Sequence, residues 1–425
     1  TPMFIYRLLN LLLFPLTFGY VCWKAVRHKQ LRYLQQRLGL GLGEIPKNCL
    51  WLHCASVGEV NTVMPLLQEL HTRRPEQHFL ITTNTPTGAD IVLRQQQPYL
   101  FHAYLPFDWL LAVTLFVSSI KPTALYVLET ELWPNLFSVC HSRRVPIVII
   151  NGRLSPRTTA TFKWVREVLG HLLRLTQHIY ARSEADQASF IKLGADAHRV
   201  SMLGNMKYSP PALQTSAKPD VGIDYVVAAS THDDEELQIL KCWLQLERHE
   251  LLVIAPRHPE RRDDILSLLR QHTDAIAVRS RNDAITDDTK VYLLDTVGEL
   301  NIWFAGARLV IMGGSFIPRG GHNLLEPAHF GKAVIFGPSM DNFAEETRLM
   351  LDQHAAVQVM SIDELCHQLQ HFLTNHDALE SLQNNVHEAT AGFRHIVADY
   401  ADIIIAQMEA NARRLKAAEE EKKAA

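Results

Sequence analysis

Short apolar runs alternate with longer helical stretches along almost the whole chain, in two batches. The first batch is CLWLHCA (49–55), HFLITTN (78–84), ALYVLET (124–130), VPIVIIN (145–151) and HIYARS (178–183). The second is DYVVAAST (224–231), LLVIAPR (251–257), VYLLDT (291–296), ARLVIMGG (307–314) and AVIFGP (333–338). Continuous hydrophobicity of this kind marks strands covered on both faces, as in parallel sheets packed between helices. Between the batches, SPPALQTSAKPDVG (209–222) is rich in Pro, Ser and small residues, has no period and reads as a linker. A chain of 425 residues is also too long for one ordinary core. The pattern predicts an α/β protein of two doubly wound, Rossmann-like domains facing a cleft, at 41–208 and 223–400. Residues 401–425 are expected to form a helix that frays into a low-complexity tail without chemistry.

Residues 1–40 depart from the alternation. MFIYRLLNLLLFPLTFGYVCW (3–23) is mostly apolar, broken only by Arg7, Asn10, Pro15 and Thr17, and Lys24, Arg27, Lys29, Arg32 and Arg37 follow it. The charge lies mainly after the run, and Cys22-Trp23-Lys24 is a poor cleavage site, which argues against a secretory signal. Its length just reaches a bilayer span, with positive-inside logic keeping the rest cytoplasmic. Pro15 and Arg7 equally suit a helix lying in the interface, its basic flank toward anionic headgroups. An N-terminal membrane-associating helix is therefore expected, spanning or lying on the surface.

Elsewhere composition is that of a globular protein, 47% apolar and 20% charged. A net charge of −3 excludes the basic excess of a nucleic-acid binder. The six cysteines, at 22, 49, 54, 140, 242 and 366, form no CxxC pair. That predicts neither a zinc site nor a disulfide framework, and a reducing, cytosolic setting.

Ligands of open parallel sheets bind outside the carboxyl ends of the strands, so the residues after each strand carry the functional signal. In the second half, MGGSFIPRGGHNLLEP (312–327) runs from a strand through four glycines and Arg319 to a helix expected to begin near Asn323. Glycines admit a ligand close to the backbone, and a helix N-terminus offers N–H groups to a phosphate. Glu326 would then meet ribose hydroxyls, although Asn323 and Glu326 also spell an ordinary capping box. Arg257 and His258 in APRHPERR suit a nucleotide phosphate or base edge, and Val297-Gly298-Glu299 could meet a nucleoside through backbone groups.

In the first half, Ser56-Val57-Gly58-Glu59 places an acid where a strand hands over to a helix, and TTNTPTG (82–88) is another polar strand end. ETELWPN (129–135) holds Glu129 and Glu131, which in a strand would point opposite ways, so at most one is expected to face a ligand. Lys207 stands just before the linker, within reach of a bound anion. No Asp-x-Asp, metal-spaced cluster, Walker lysine or GxSxG elbow is present, so no metal or cofactor is expected. A phosphate would be neutralised by Arg, Lys and helix ends.

Five stretches in order, SVGE (56–59), TPTG (85–88), ETELWPN (129–135), PRHPER (256–261) and GGSFIPRGGHNLLEP (313–327), resemble the bacterial Kdo (3-deoxy-D-manno-octulosonic acid) transferase family. The resemblance runs to about residue 400. It implies the two-domain glycosyltransferase B fold and transfer of Kdo from CMP-Kdo to lipid IV-A at the cytoplasmic face of the inner membrane. It also implies Glu59 as catalytic base, Glu129 and Lys207 as transition-state stabilisers, and CMP contacts from Pro256, Arg257, Val297, Gly298, Glu299, Asn323, Leu324, Leu325 and Glu326. Val297 stands where the family usually has Met, and Tyr208-Ser209 where it often has an aromatic residue and Asp, so no role is carried over for that acid. The competing expectation is a lipid-directed glycosyltransferase of the same fold that uses a UDP-sugar. Neither the number of Kdo residues added nor an oligomeric state follows from the sequence.

Overall fold

The computed structural model describes residues 2–210 and 218–424, so the middle of the expected linker, 211–217, lies outside the described residues. Two compact units are present, Thr1–Ser209 with His395–Ala425, and Pro210–Arg394. The first holds β1 (Leu50–His53), β2 (Phe79–Thr83), β3 (Leu100–Tyr104), β4 (Ala124–Leu128), β5 (Ile147–Gly152), β6 (His178–Ala181) and β7 (Val200–Met202). The second holds β8 (Tyr225–Thr231), β9 (Leu251–Pro256), β10 (Ile276–Val278), β11 (Val291–Leu293), β12 (Leu309–Met312), β13 (Val334–Phe336) and β14 (Val357–Gln358). Each unit forms a seven-stranded sheet, in the orders β3-β2-β1-β4-β5-β6-β7 and β10-β11-β9-β8-β12-β13-β14. Every pairing is parallel.

The central strands are buried along their whole length, as their unbroken apolar runs require. Trp51, Phe116 and Phe137 lie fully inside the first core, and Trp243 is almost as buried in the second. Cutting any of them back to alanine is expected to cost about 3–5 kcal/mol. In each sheet the strand order reverses at the centre, between β1 and β4 and between β8 and β12; in the second sheet β10 also lies outside β11. Those two switch points are where ligand crevices form in open parallel sheets.

The apolar N-terminal run is broken. Helices Met3–Leu12 and Phe14–Arg27 meet at 60°, and among the described residues no single helix is long and apolar enough to cross a membrane. Pro15, in the first turn of the second helix, lacks the N–H that would continue the first. The polar residues that interrupt the run face the protein. Tyr6 Oη donates to Asp108 Oδ2 at 2.8 Å, Asn10 to the Asp108 carbonyl at 3.1 Å, and Arg7 to Asn135 Oδ1 at 3.2 Å. Burial pushes the Asp108 carboxyl up to about 6, against the bonds it accepts from Asn135, Tyr6 and Leu136. Phe4, Leu11, Leu12, Leu16, Trp23 and Val26 are left exposed, which inverts the usual amphipathic arrangement.

The basic flank is partly used inside the fold. Arg37 is buried, donates to the Leu105 carbonyl at 2.7 Å and stacks on Phe107, and Arg32 bonds the His102 carbonyl. Lys24 and Arg27 sit over Tyr20 and Trp23.

Two further features differ from expectation. Cys242 and Cys366, 124 residues apart, are joined as a disulfide with Cα atoms 5.6 Å apart. Their spacing gives no hint of this because the two helices that carry them, Glu235–Gln245 and Ile362–Thr374, become neighbours only in the fold. The final helix, Ile396–Ala424, begins as an integral part of the first unit rather than a tail. Tyr400 and Ile404 are fully buried, Gln407 Oε1 accepts from Tyr126 Oη at 2.9 Å, and Arg73 and Arg74 pair with Asp402 and Glu409.

Candidate active site

At the first switch point, Ser56 caps the helix Val57–Arg73, accepting from the Glu59 N–H at 3.3 Å. Glu59 answers with both carboxylate oxygens, Oε1 accepting from Ser56 Oγ at 3.1 Å and Oε2 from the Ala55 N–H at 2.8 Å. The capping box is therefore closed one residue early, on the Ala55 rather than the Ser56 N–H, and it pins the carboxylate to the carboxyl end of β1. Glu59 is only 9% exposed. Burial raises its pKa above the ordinary glutamate value; the Ala55 bond opposes this and the nearby Glu129 charge adds to it. The helix-end field alone would keep the acid strongly ionised; burial wins.

Glu129 follows β4 in the left-handed region, φ +56°, a conformation uncommon for a non-glycine residue. It has left the strand, so strand parity no longer separates it from Glu131. Both acids bear electrostatically on Glu59. Lys207 Nζ lies 2.8 Å from Glu129 Oε1, an ion-pair approach. The turn carrying Lys207 is held by Asn205, which accepts the Lys207 N–H at 3.1 Å, and by Asn151, which accepts the Met206 N–H at 2.9 Å. Asn151 is itself buried at φ +50° where β5 shifts register, and its N–H donates to Tyr400 Oη at 3.2 Å. Glu131 accepts from Trp133 Nε1 at 2.8 Å and lies 3.7 Å from the buried His53 ring. Burial pushes its carboxyl up, but His53, Trp133 and Asn84 together outweigh that and hold it below the ordinary range.

Sequence reasoning singled out Glu59, Glu129 and Lys207, and missed Asn151, Tyr400 and His53. The polar residue ending VPIVIIN was the available signal for Asn151. For Tyr400, about 250 residues downstream in the chain, none existed.

At the second switch point, β8 bulges at Ser230, φ +54°, between Ala229 and Thr231. Gly313, at the end of β12, packs so tightly on the bulge that a Cβ there would lie 2.5 Å from the Ser230 carbonyl oxygen. The glycine loop's amides are largely spoken for. Fully buried Glu235 accepts the Gly314, Phe316 and His232 N–H groups at 2.8, 3.1 and 2.9 Å. Glu236, also buried, accepts from Thr231 Oγ1 at 3.1 Å and from Arg261. Neither acid was anticipated, although the polar run after DYVVAAST was visible.

The helix beyond the glycines is shorter than expected. It spans Leu325–Ala328, with Leu324 in the cap position, so no capping box forms and four residues carry little helix dipole. Asn323 Oδ1 accepts the Leu325 N–H at 3.0 Å, and Glu326 is left exposed at the surface. Protein packed around it still raises the Glu326 pKa by desolvation, with Arg257 opposing. Leu324 and Leu325 are fully buried, so only their backbone groups can touch a ligand. Pro256 closes β9 opposite Thr231, and Arg257 follows it, exposed, its N–H donating to the Thr231 carbonyl at 2.9 Å.

Val297 is 85% exposed, and Gly298, at φ +90°, has open space around it. Glu299 is engaged: Arg279 forks onto it at 3.0 and 2.7 Å, which holds its carboxyl below the ordinary range. Among the described residues there is no cluster of His, Cys, Asp or Glu able to hold a metal ion.

Two open parallel sheets, each with polar side chains gathered at its switch point, define the glycosyltransferase B fold. UDP-GlcNAc 2-epimerase from Neisseria meningitidis shares it, with a TM-score of 0.55, 14% identity, and coverage of 84% of this chain and 99% of that one. At that identity the likeness shows the fold alone.

Residues 32–209 match the family described as 3-deoxy-D-manno-octulosonic-acid transferase (kdotransferase). The 3-deoxy-D-manno-octulosonic acid transferase of Haemophilus influenzae is 31% identical, covering 96% of this chain and 99% of its own. That of Rickettsia bellii is 29% identical, covering 94% and 98%. The chain belongs to the Kdo transferase family, a family of glycosyltransferases in lipopolysaccharide biosynthesis.

Proposed function

We propose that this protein transfers Kdo from CMP-Kdo to lipid IV-A with inversion, Glu59 acting as general base. The observation that carries this reading is the Glu59 carboxylate itself, fixed at a switch point by Ala55 and Ser56 and raised in pKa by burial. A carboxylate whose pKa is raised is a stronger proton acceptor than an ordinary one. The two bonds Glu59 accepts leave lone pairs for an acceptor hydroxyl. As that hydroxyl oxygen attacks the anomeric carbon, its proton passes to Glu59, and the sugar–phosphate bond breaks with its electron pair leaving on CMP.

Lys207, paired to Glu129, offsets negative charge in the transition state. Pro256 and Arg257, the Val297–Gly298 backbone with Glu299, and Asn323 to Glu326 hold CMP. Arg279 occupies Glu299, so that residue orders its loop before it meets a nucleoside. A single phosphate needs no cation clamp, and chelator treatment is expected to leave the transfer rate unchanged. The outward apolar face of helices Met3–Leu12 and Phe14–Arg27, with Lys24 and Arg27 beside it, lies on the cytoplasmic leaflet of the inner membrane, where a lipid acceptor resides.

The test is Glu59→Gln, assayed with CMP-Kdo and lipid IV-A by mass spectrometry, which also counts the Kdo residues added. Transfer should fall by about 10²–10⁴-fold with CMP affinity unchanged. Retained turnover overturns the base, and a preference for UMP over CMP overturns the donor.

A further inference from the structure

Nothing so far gives a role to His232 and His322, yet they bridge the second switch point. His232 follows the last residue of β8, and His322 lies on the glycine loop after β12. Their rings are parallel to within 5° and meet edge to edge, with Nε2 atoms 3.0 Å apart and ring centroids 5.2 Å apart. Both are half-buried. Gly314 makes room for them, since a Cβ there would lie 3.0 Å from the His322 ring and 3.4 Å from that of His232.

Two neutral rings bonded through Nε2 must be opposite tautomers, one donating and the other accepting. The accepting ring then carries its hydrogen on Nδ1. The pair therefore always presents one Nδ1–H donor away from itself, together with one Nδ1 acceptor on the other ring. Burial, together with neighbouring cations, holds both rings below the ordinary histidine range, His322 at about 4, so the neutral form prevails at physiological pH.

The surroundings favour an anion. Arg257, His258 and Arg319 act electrostatically on the pair. Arg257 and Arg319 have no carboxylate within ion-pair distance among the described residues. The nearest buried acids are already committed, Glu235 to three backbone amides and Glu236 to Thr231 and Arg261. With the glycine-loop amides given to Glu235, side chains are left to meet a ligand there.

We propose that His232 and His322 together form a binding subsite for an anionic oxygen group of the nucleotide-sugar donor, either its phosphate or its sugar carboxylate. The proposal rests on the CMP-Kdo reading above. In the bound state the Nδ1–H donates to the anion, and Arg257 and Arg319 supply the charge.

The test uses the full chain with His232→Asn, His322→Asn and the more conservative His322→Gln. Calorimetric titration with CMP and with cytidine is paired with steady-state kinetics in CMP-Kdo. If the pair reads the phosphate, CMP affinity falls about tenfold or more while cytidine binding is unchanged, as for a lost hydrogen bond to a charged group. If it reads the carboxylate, CMP affinity holds and the donor KM rises by a similar factor with kcat kept. Loss of CMP and cytidine in equal proportion, or no change in any of the three, overturns the subsite. Thermal unfolding, read independently of ligand, reports that each variant is folded. A wild-type protein that binds UMP but not CMP overturns the donor reading, an outcome distinct from variants that match a CMP-binding wild type.

Discussion

Ser56-Val57-Gly58-Glu59 and Asn323-Leu324-Leu325-Glu326 are the same pattern, a capping residue followed three positions later by glutamate, each downstream of a strand at a switch point. In the first the box closes, because a helix of 17 residues starts directly behind the cap. In the second it stays open, because the helix begins at Leu325 and runs four residues, with Asn323 bonding only its near neighbour. The closed box holds a buried acid in one place. The open one leaves an acid whose oxygens are available to a ligand. A motif therefore states which bonds a segment can make, and the position of the first helical residue decides which are made.

Substitutions can break or sharpen this contrast. The largest effect after loss of the base is expected at the open box: Glu326→Ala should lower CMP affinity by about ten- to a hundredfold, the worth of hydrogen bonds to a charged group, and leave the melting temperature unchanged. Unchanged CMP affinity would make Glu326 a bystander.

Next comes Glu129→Gln. The Glu129 charge raises the Glu59 pKa, so its removal lowers that pKa and moves the acid limb of kcat/KM to lower pH. The readout is the position of the limb in a pH–rate profile, whatever the height. A limb that stays in place would mean Glu59 is not the group titrating.

Ser56→Ala removes a working cap and should cost about 1 kcal/mol of stability in denaturant unfolding. Asn323→Ala removes one local bond without a box and should cost roughly half as much. Equal losses would show that the two boxes do not differ.

Much of this was legible along the chain. The ten apolar runs all became strands, and they form the centres of both sheets. The four strands that escaped notice, β3, β7, β10 and β14, are the four edges. Each edge strand is only partly covered, so its sequence lacks the unbroken apolar run that marks a central one. Among site residues, those on loops straight after a central strand could be read. Asn151 and His232 also stand at such strand ends, but their roles, like those of Tyr400 and Glu235, come from partners far along the chain.

The sequence by itself determined two parallel sheets, the strand ends that carry polar chemistry, and an apolar N-terminus with a basic flank. Each follows from local composition and periodicity. Tertiary structure alone decided that Glu59 is raised rather than lowered in pKa, because burial and the Glu129 charge come from packing. It decided that Arg7 and Asn10 turn inward and leave the apolar face outside, because Asp108 and Asn135 wait there. It also set His232 against His322, because only the parallel pairing of β8 with β12 brings those loops together.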